Sequence, residues 1–244
     1  MSRRVTGPCA KCSVPVTSST VKDAEVLSTA APDGEHRLRA DALRNRERIV
    51  AAARDAFIAY GADAPLDEIA RRAGVGNATL YRHFSDRRQL IREVMIAAAA
   101  ELTAETRGAL AEEPDAFAAL RRVVHRAADR RGGAFFSVLS GCLDDDPTVR
   151  TARDTLLRAA QELLDAAQQC GRLRPDAGIG DLMLALAQLG RPLPGMRGTD
   201  LDRFVHRHLD LFLDGLLAPS RSVLTGPSAT LDDLPQLFDP GAGR

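Results

Sequence analysis

The stretch from Leu66 to Arg88, LDEIARRAGVGNATLYRHFSDRR, reads as helix, tight turn and second helix. Ile69, Ala70 and Ala73 recur at helical spacing and give the first helix an apolar face. Gly74 stands where that helix must stop, because glycine reaches the left-handed conformation of a helix end without steric cost. Val75 fills the corner. Leu80 and Phe84, four apart, turn one face of the second helix toward the core. Thr79, Arg82 and His83 are left pointing outward, with Asn77 at the helix start and Tyr81 on the flank. A short helix presenting amide, hydroxyl, phenol, guanidinium and imidazole groups suits the base edges and phosphates of a DNA major groove.

Upstream, Ile49, Ala53, Ala56, Phe57 and Tyr60 mark the buried stripe of a helix expected over Asp41–Tyr60 and stopped by Gly61. Arg44, Arg46 and Arg48 fall in its first turns, where the helix dipole favours acids. Arg44 and Arg46 are therefore candidates to meet an external anion, a solvated basic face being the plain alternative. Pro65 suits the first position of the next helix, with Asp63 as a possible cap. Asp86 is placed to cap a fourth helix reaching about Arg107, with Leu90, Val94 and Leu102 on one face and Arg87 at its start.

Beyond Pro114 the pattern is helix after helix. Phe117, Leu120, Val124 and Ala127 mark one, ended by Gly132 and Gly133; Phe135, Phe136, Val138, Leu139 and Leu143 mark a second. Pro147 opens a third that Gly171 stops; a fourth covers Asp176–Leu189, and the last carries Leu201 to Leu216. The last two are apolar on too many sides for the surface of a monomer. Paired with a second copy they make a four-helix bundle about a two-fold axis, the symmetry a palindromic DNA site calls for. The expected fold is all-α: a three-helix helix-turn-helix domain (37–92) followed by a helical ligand-binding and dimerisation domain (93–217), flanked by disordered tails (1–36 and 218–244). Phe117, His125, Phe135, Phe136, Leu139 and Met183 are candidates to line a pocket for a small-molecule effector, although periodicity alone makes them core positions.

The formal net charge is +0, but it is unevenly spread. His36–Arg92 carries 12 Arg against 7 acids, giving +5, and Glu93–Leu217 carries 15 Arg against 19 acids, giving −4. A basic module joined to an acidic one fits a protein that meets DNA with one module only. Arg outnumbers Lys 31 to 2, a bias that often reflects a GC-rich genome and hints at a bacterial source. The sequence has no apolar run long enough to span a membrane and no secretory signal, so the expected compartment is the cytoplasm. Cys9 and Cys12 form a lone C-x-x-C with no second ligand pair nearby, so no metal is expected; Cys142 and Cys170 sit in apolar helical contexts as packing residues. For catalysis only His125, Cys142 and the run Asp144, Asp145, Asp146 can be nominated, and an acidic run before Pro147 is better read as a helix entry and cap. With no phosphate loop or ligand pattern, no catalytic residue and no cofactor is assigned. A helical protein-interaction module, or an enzyme acting on small molecules, is the alternative to DNA binding.

The segment Ile49–Val94, IVAAARDAFIAYGADAPLDEIARRAGVGNATLYRHFSDRRQLIREV, resembles the DNA-binding domain of the TetR family of bacterial transcriptional regulators. The matches are the F-x-x-Y-G end of the first helix, the I-A-x-x-A-G-V turn, and T-L-Y-x-H-F before a charged cap. GGAFFSVLSG, RLRPDAGIGDLMLAL and HLDLFLDGLL, within residues 132–217, are similar to the C-terminal domain of SbtR-like members. The resemblance implies a homodimeric repressor with a DNA operator and, usually, a small ligand. It implies that Thr79 and Tyr81 touch phosphates or bases, that Asn77 and Arg82 occupy variable reading positions, that His83 lies near the backbone, and that Arg87 contacts a phosphate. Pro65 and Leu66 depart from the pattern, standing where family members often carry a Thr or Ser that caps the second helix.

Overall fold

The computed structural model describes residues 33–132, 145–189, 200–220 and 222–230, with residues 135, 139, 142, 143 and 233. Eight helices form their regular structure: α1 (Asp33–Tyr60), α2 (Leu66–Ala73), α3 (Asn77–His83), α4 (Arg87–Glu112), α5 (Ala116–Asp129), α6 (Pro147–Gln169), α7 (Ile179–Leu189) and α8 (Asp200–Gly215). The expected all-α class is what the chain adopts. Cys9, Cys12, Phe136, Val138, Asp144 and the loop 190–198 lie outside the described residues.

α1 begins at Asp33, inside the expected tail and well before Asp41. Arg44, Arg46 and Arg48 therefore sit in the body of the helix, beyond the reach of the dipole at its start. The dipole argument for an external anion at Arg44 and Arg46 therefore does not apply. α2 begins at Leu66, and Pro65 occupies its N-cap position with no side-chain cap; Asp63 does not fill that role. Gly74 ends α2 as expected, at φ 64 and ψ 36. Its N–H donates to Arg71 C=O (3.1 Å) and that of Val75 to Ala70 C=O (3.0 Å), the paired bonds of a Schellman ending. Asp86 caps α4 by accepting from Gln89 N–H at 2.7 Å. Asp146 caps α6 by accepting from Thr148 and Val149. α5 ends at Asp129 with Arg130 as its C-cap, and the next residue, Arg131, stands at φ 49, ahead of the Gly132 and Gly133 expected to end the helix.

Two apolar clusters form the interior. The first joins α1, α2, α3 and the first half of α4 through Phe57, Ile69, Leu80, Phe84, Leu90 and Val94, and it also takes in Phe135, Leu139, Leu143 and Val149. The second joins the rest of α4 to α5, α6, α7 and α8. The change of core along α4 falls between Ala98 and Leu102. At 26 residues α4 is about 39 Å long, enough to run through both cores.

Residues 218–230, expected as part of a disordered tail, are in part bound to the body. Arg174 is buried; its guanidinium pairs with Asp176 (2.6 and 2.8 Å) and donates to Ser222 C=O at 2.7 Å. Gly180 N–H donates to Ala229 C=O at 3.0 Å. A Cβ on Gly180 would lie 2.3 Å from that of Ala229, so glycine lets this strap close over the start of α7. Asp176 serves the strap, and α7 begins three residues later, at Ile179, instead of at Asp176.

Candidate nucleic-acid interface

The outward ridge of α3 is built by what its other face must bury. Leu80 and Phe84 are locked into the first core, which turns Asn77, Tyr81 and Arg82 to solvent. Tyr81 is 54% exposed, a large value for an aromatic beside a packed core. Thr79 and His83 are half-buried at the edges of the ridge, and Arg82 donates to Thr79 Oγ1 at 3.0 Å. Arg82 and His83 put positive and titratable groups in the last turn of α3. The five ridge residues named from the sequence thus lie together on one short helix.

The other three basic candidates do not join that ridge as free groups. Arg44 pairs with Asp41 on its own helix. The Arg46 guanidinium stands 4.6 Å over the Phe84 ring, pairs with Glu93 at 3.0 Å and donates to His83 C=O at 3.2 Å. Arg87 donates to the carbonyls of Ala62 (2.9 Å) and Ala64 (2.5 Å), tying the start of α4 to the α1–α2 loop. Arg46 and Arg87 are therefore braces that fix how α3 is held. Arg48, which sequence reading did not single out for this role, donates to Gly74 C=O at 3.3 Å and holds the turn itself.

A second set of braces couples this module to the rest of the molecule. Arg88 pairs with Asp145 at 2.6 Å and Arg92 with Asp146 at 2.9 Å, joining α4 to the entry of α6. The Arg88 guanidinium holds the Asp145 carboxyl below its usual range. Arg54 pairs with Glu101 at 3.1 Å and donates to Arg130 C=O at 3.0 Å, and Arg130 also pairs with Glu101. Arg46–Glu93 and Arg54–Glu101 are two rungs with the same spacing on each helix, so α1 and α4 run side by side in one direction. That repeat, Arg and Arg against Glu and Glu, was present in the sequence as a signal. A half-open cavity of about 580 Å³ lies between α1 and α4, with Asp129–Arg131 along one side. Of its four arginines, Arg46, Arg54 and Arg130 have carboxylate partners.

Phe136 lies outside the described residues, and the other expected effector-lining residues are divided between the two cores and the α5–α8 seam. Phe117 is buried in the second core, whereas Phe135 and Leu139 are buried in the first, on the other side of the change of core along α4. Met183 packs half-buried against the second core. His125 bonds to His206 and Asp210. Apolar periodicity marks burial, and Phe117, Phe135, Leu139 and Met183 serve the cores. Cys142 and Cys170 pack half-buried against the first and second cores. The acidic run acts as a helix entry: Asp146 caps α6 and Asp145 holds Arg88. Among the described residues no group of three or more His, Cys, Asp or Glu is placed to hold a metal ion. No described helix is long and apolar enough to cross a membrane.

Residues 49–94 match the model for bacterial regulatory proteins of the tetR family, and residues 114–218 match that for the C-terminal domain of SbtR-like transcriptional regulators. The solved structure of a TetR transcriptional regulator from Streptomyces coelicolor is 35% identical, with a TM-score of 0.56, over 72% of this chain and 99% of that one. A TetR regulator from Mycobacterium vanbaalenii is 33% identical, with a TM-score of 0.53, over 74% of this chain and 99% of that one. The uncharacterized HTH-type transcriptional regulator TtgW of Pseudomonas putida is 42% identical over 57 residues, which span 23% of this chain and 42% of that protein. The chain thus spans less than half the length of that curated relative. The family is one of transcriptional regulators, not of enzymes. With its helix-turn-helix segment and its C-terminal segment both matched, and solved relatives covered almost end to end, the chain belongs to the TetR family of DNA-binding transcriptional regulators.

Proposed function

We propose that this regulator is a homodimeric repressor that grips a palindromic operator with α3 and is released by a small-molecule effector. The observation that carries the reading is the ridge of Asn77, Tyr81 and Arg82, held out to solvent by the buried Leu80 and Phe84. Asn77 and Arg82 would read base edges, since Asn pairs with adenine and Arg with guanine. Thr79, Tyr81 and His83 would meet the backbone on either side. Arg44, exposed on α1, would have to exchange Asp41 for a phosphate, and Arg87 would act through the loop it braces.

A dimer through α7 and α8 is supported by the apolar surface of α8. Phe204 is 40% and Leu211 59% exposed, and with His208 between them they share one stripe of the helix. Two copies meeting there would set two α3 helices about a two-fold axis, matching a palindromic site. An effector can shift DNA affinity only by binding one arrangement of the two modules better than the other, typically by about 1–3 kcal/mol. The cavity between α1 and α4 lies where such a shift would act, because α1 belongs to the DNA-binding core and α4 to both cores. The expected setting is the bacterial cytoplasm.

Footprinting with purified protein on the DNA upstream of its own gene tests this. A protected palindrome is expected, with affinity falling steeply as salt rises, the mark of phosphate contacts. Tyr81→Ala combined with Arg82→Ala should weaken binding by more than about tenfold while leaving helicity and oligomeric state unchanged. Normal binding by that double variant would remove α3 as the contact surface.

A further inference from the structure

α5 and α8 are joined by four side chains whose hydrogen bonds cannot all exist without one extra proton. His125 Nε2 lies 3.0 Å from Asp210 Oδ1, and His206 Nε2 lies 2.9 Å from Asp129 Oδ1. Between them the two Nδ1 atoms face each other at 2.7 Å. The ring planes differ by 23° with centroids 4.9 Å apart, so the rings meet nearly in plane and edge to edge. An ionised carboxylate only accepts, so each Nε2 must donate. That uses the single N–H proton of a neutral imidazole and leaves both Nδ1 atoms bare. A bonded contact between them then requires one more proton, held between the rings.

The surroundings suit a positive pair. Asp129 and Asp210 flank it, and Arg121 bonds to both Asp210 (2.8 Å) and Asp214 (2.9 Å). Arg126 lies 3.9 Å from Asp129. From α4, Glu101 pairs with Arg130, next to Asp129 in sequence. The one charged residue of α7, Asp181, accepts from Gly178 N–H. Among the described residues neither α6 nor α7 places a hydrogen bond or ion pair on either ring.

We propose that His125 and His206 bind one shared proton and thereby clamp α5 to α8 over a restricted pH range. Without that proton, two Nδ1 lone pairs face each other; with a second, two N–H groups do. Either state opens the seam. The folded pair holds one proton, whereas the two histidines of the unfolded chain hold two in acid and none in alkali. On the acid side of the ordinary imidazole range, about pH 6.5, the unfolded chain binds more protons and stability rises with pH. On the alkaline side the folded chain binds more and stability falls with pH. The contribution of the clamp is therefore bell-shaped. Its outer end reaches the first module, because Arg130, beside Asp129, is bonded to Arg54 of α1. The clamp itself does not depend on how the protein meets DNA.

Thermal unfolding of the full chain and of His206→Gln, followed from about pH 5 to about pH 9, tests the proposal. The difference in Tm between the two is expected to peak near pH ~6.5, at a few degrees, and to shrink on both sides. A flat difference, or one that changes in a single direction, overturns the clamp. Should the variant fail to fold, imidazole nitrogen NMR of the unaltered protein decides. Both Nε2 atoms are expected to be protonated, with a half-occupied proton at each Nδ1 through the neutral range. Two rings that titrate independently overturn the proposal.

Discussion

Arg82 and Arg87 are five residues apart and chemically identical, yet their settings differ. Arg82 is exposed and bonds only to Thr79 among the described residues, whereas Arg87 is engaged on two backbone carbonyls of the α1–α2 loop. Arg82→Ala should therefore leave Tm unchanged and weaken operator binding by about tenfold or more, read by gel shift and thermal unfolding together. Arg87→Ala should lower Tm by about 2–4 °C, the consequence of losing about 1 kcal/mol of hydrogen bonding in a chain of this size. A normal Tm for Arg87→Ala would show that the brace carries no weight. The sequence marked both arginines for DNA because it shows which groups can donate, not which acceptors they find. The same holds for Arg46, whose partners Glu93 and the Phe84 ring lie on two other segments of the chain.

At the scale of elements, the helix-turn-helix depends on local rules and the strap on distant ones. Gly74 sits at φ 64, where a side chain is strained; the Arg48 guanidinium that a Cβ would meet is a flexible tip able to move. Gly74→Ala should destabilise the fold by about 1–2 kcal/mol, measured by denaturant unfolding, and a neutral result would exclude backbone strain as the reason for glycine. At the other end, the Arg174 guanidinium holds the Asp176 carboxyl at about 2. A carboxyl lowered on folding adds stability above its unfolded value, about 3.9, and loses it as pH falls through the folded value. The Tm difference between the wild type and Asp176→Asn should therefore be constant above about pH 5 and vanish by about pH 2. A difference that persists in acid would mean that the pair does not hold the strap through charge. The Gly74 ending was legible because a helix stop is a local event. The strap was not, because Pro, Gly and Ser after Pro219 describe a chain without helical period and say nothing about the notch at Gly178 and Gly180 that receives it.

At the scale of the molecule, the described residues form two cores on one continuous helix, with ion pairs at the seams. Arg54, Glu101 and Arg130 tie α1 to α4 and α5, while Arg88 and Arg92 tie α4 to the entry of α6. A displacement in the second core thus has a path to α1 and, through the first core, to α3. The outer stripe of α8 should carry assembly: Phe204→Glu with Leu211→Glu is expected to convert a dimer to monomer in sedimentation and to lower operator affinity by more than about tenfold, with α3 untouched. An unchanged sedimentation coefficient would place the interface elsewhere.

The sequence by itself determined the all-α class, the helix stop at Gly74, the caps at Asp86 and before Pro147, and a polar outer face on α3, although Thr79 and His83, read as outward, are half-buried and Tyr81, read as flanking, is exposed. Each depends on residues within a turn or two of one another, where backbone geometry and apolar spacing leave little choice. Only the tertiary structure decided that Arg46, Arg48 and Arg87 brace the ridge, that Phe117 and Phe135 belong to different cores, and that His125 faces His206. Those outcomes join residues from segments far apart in the chain, and it is the packing of helices that selects which donor meets which acceptor.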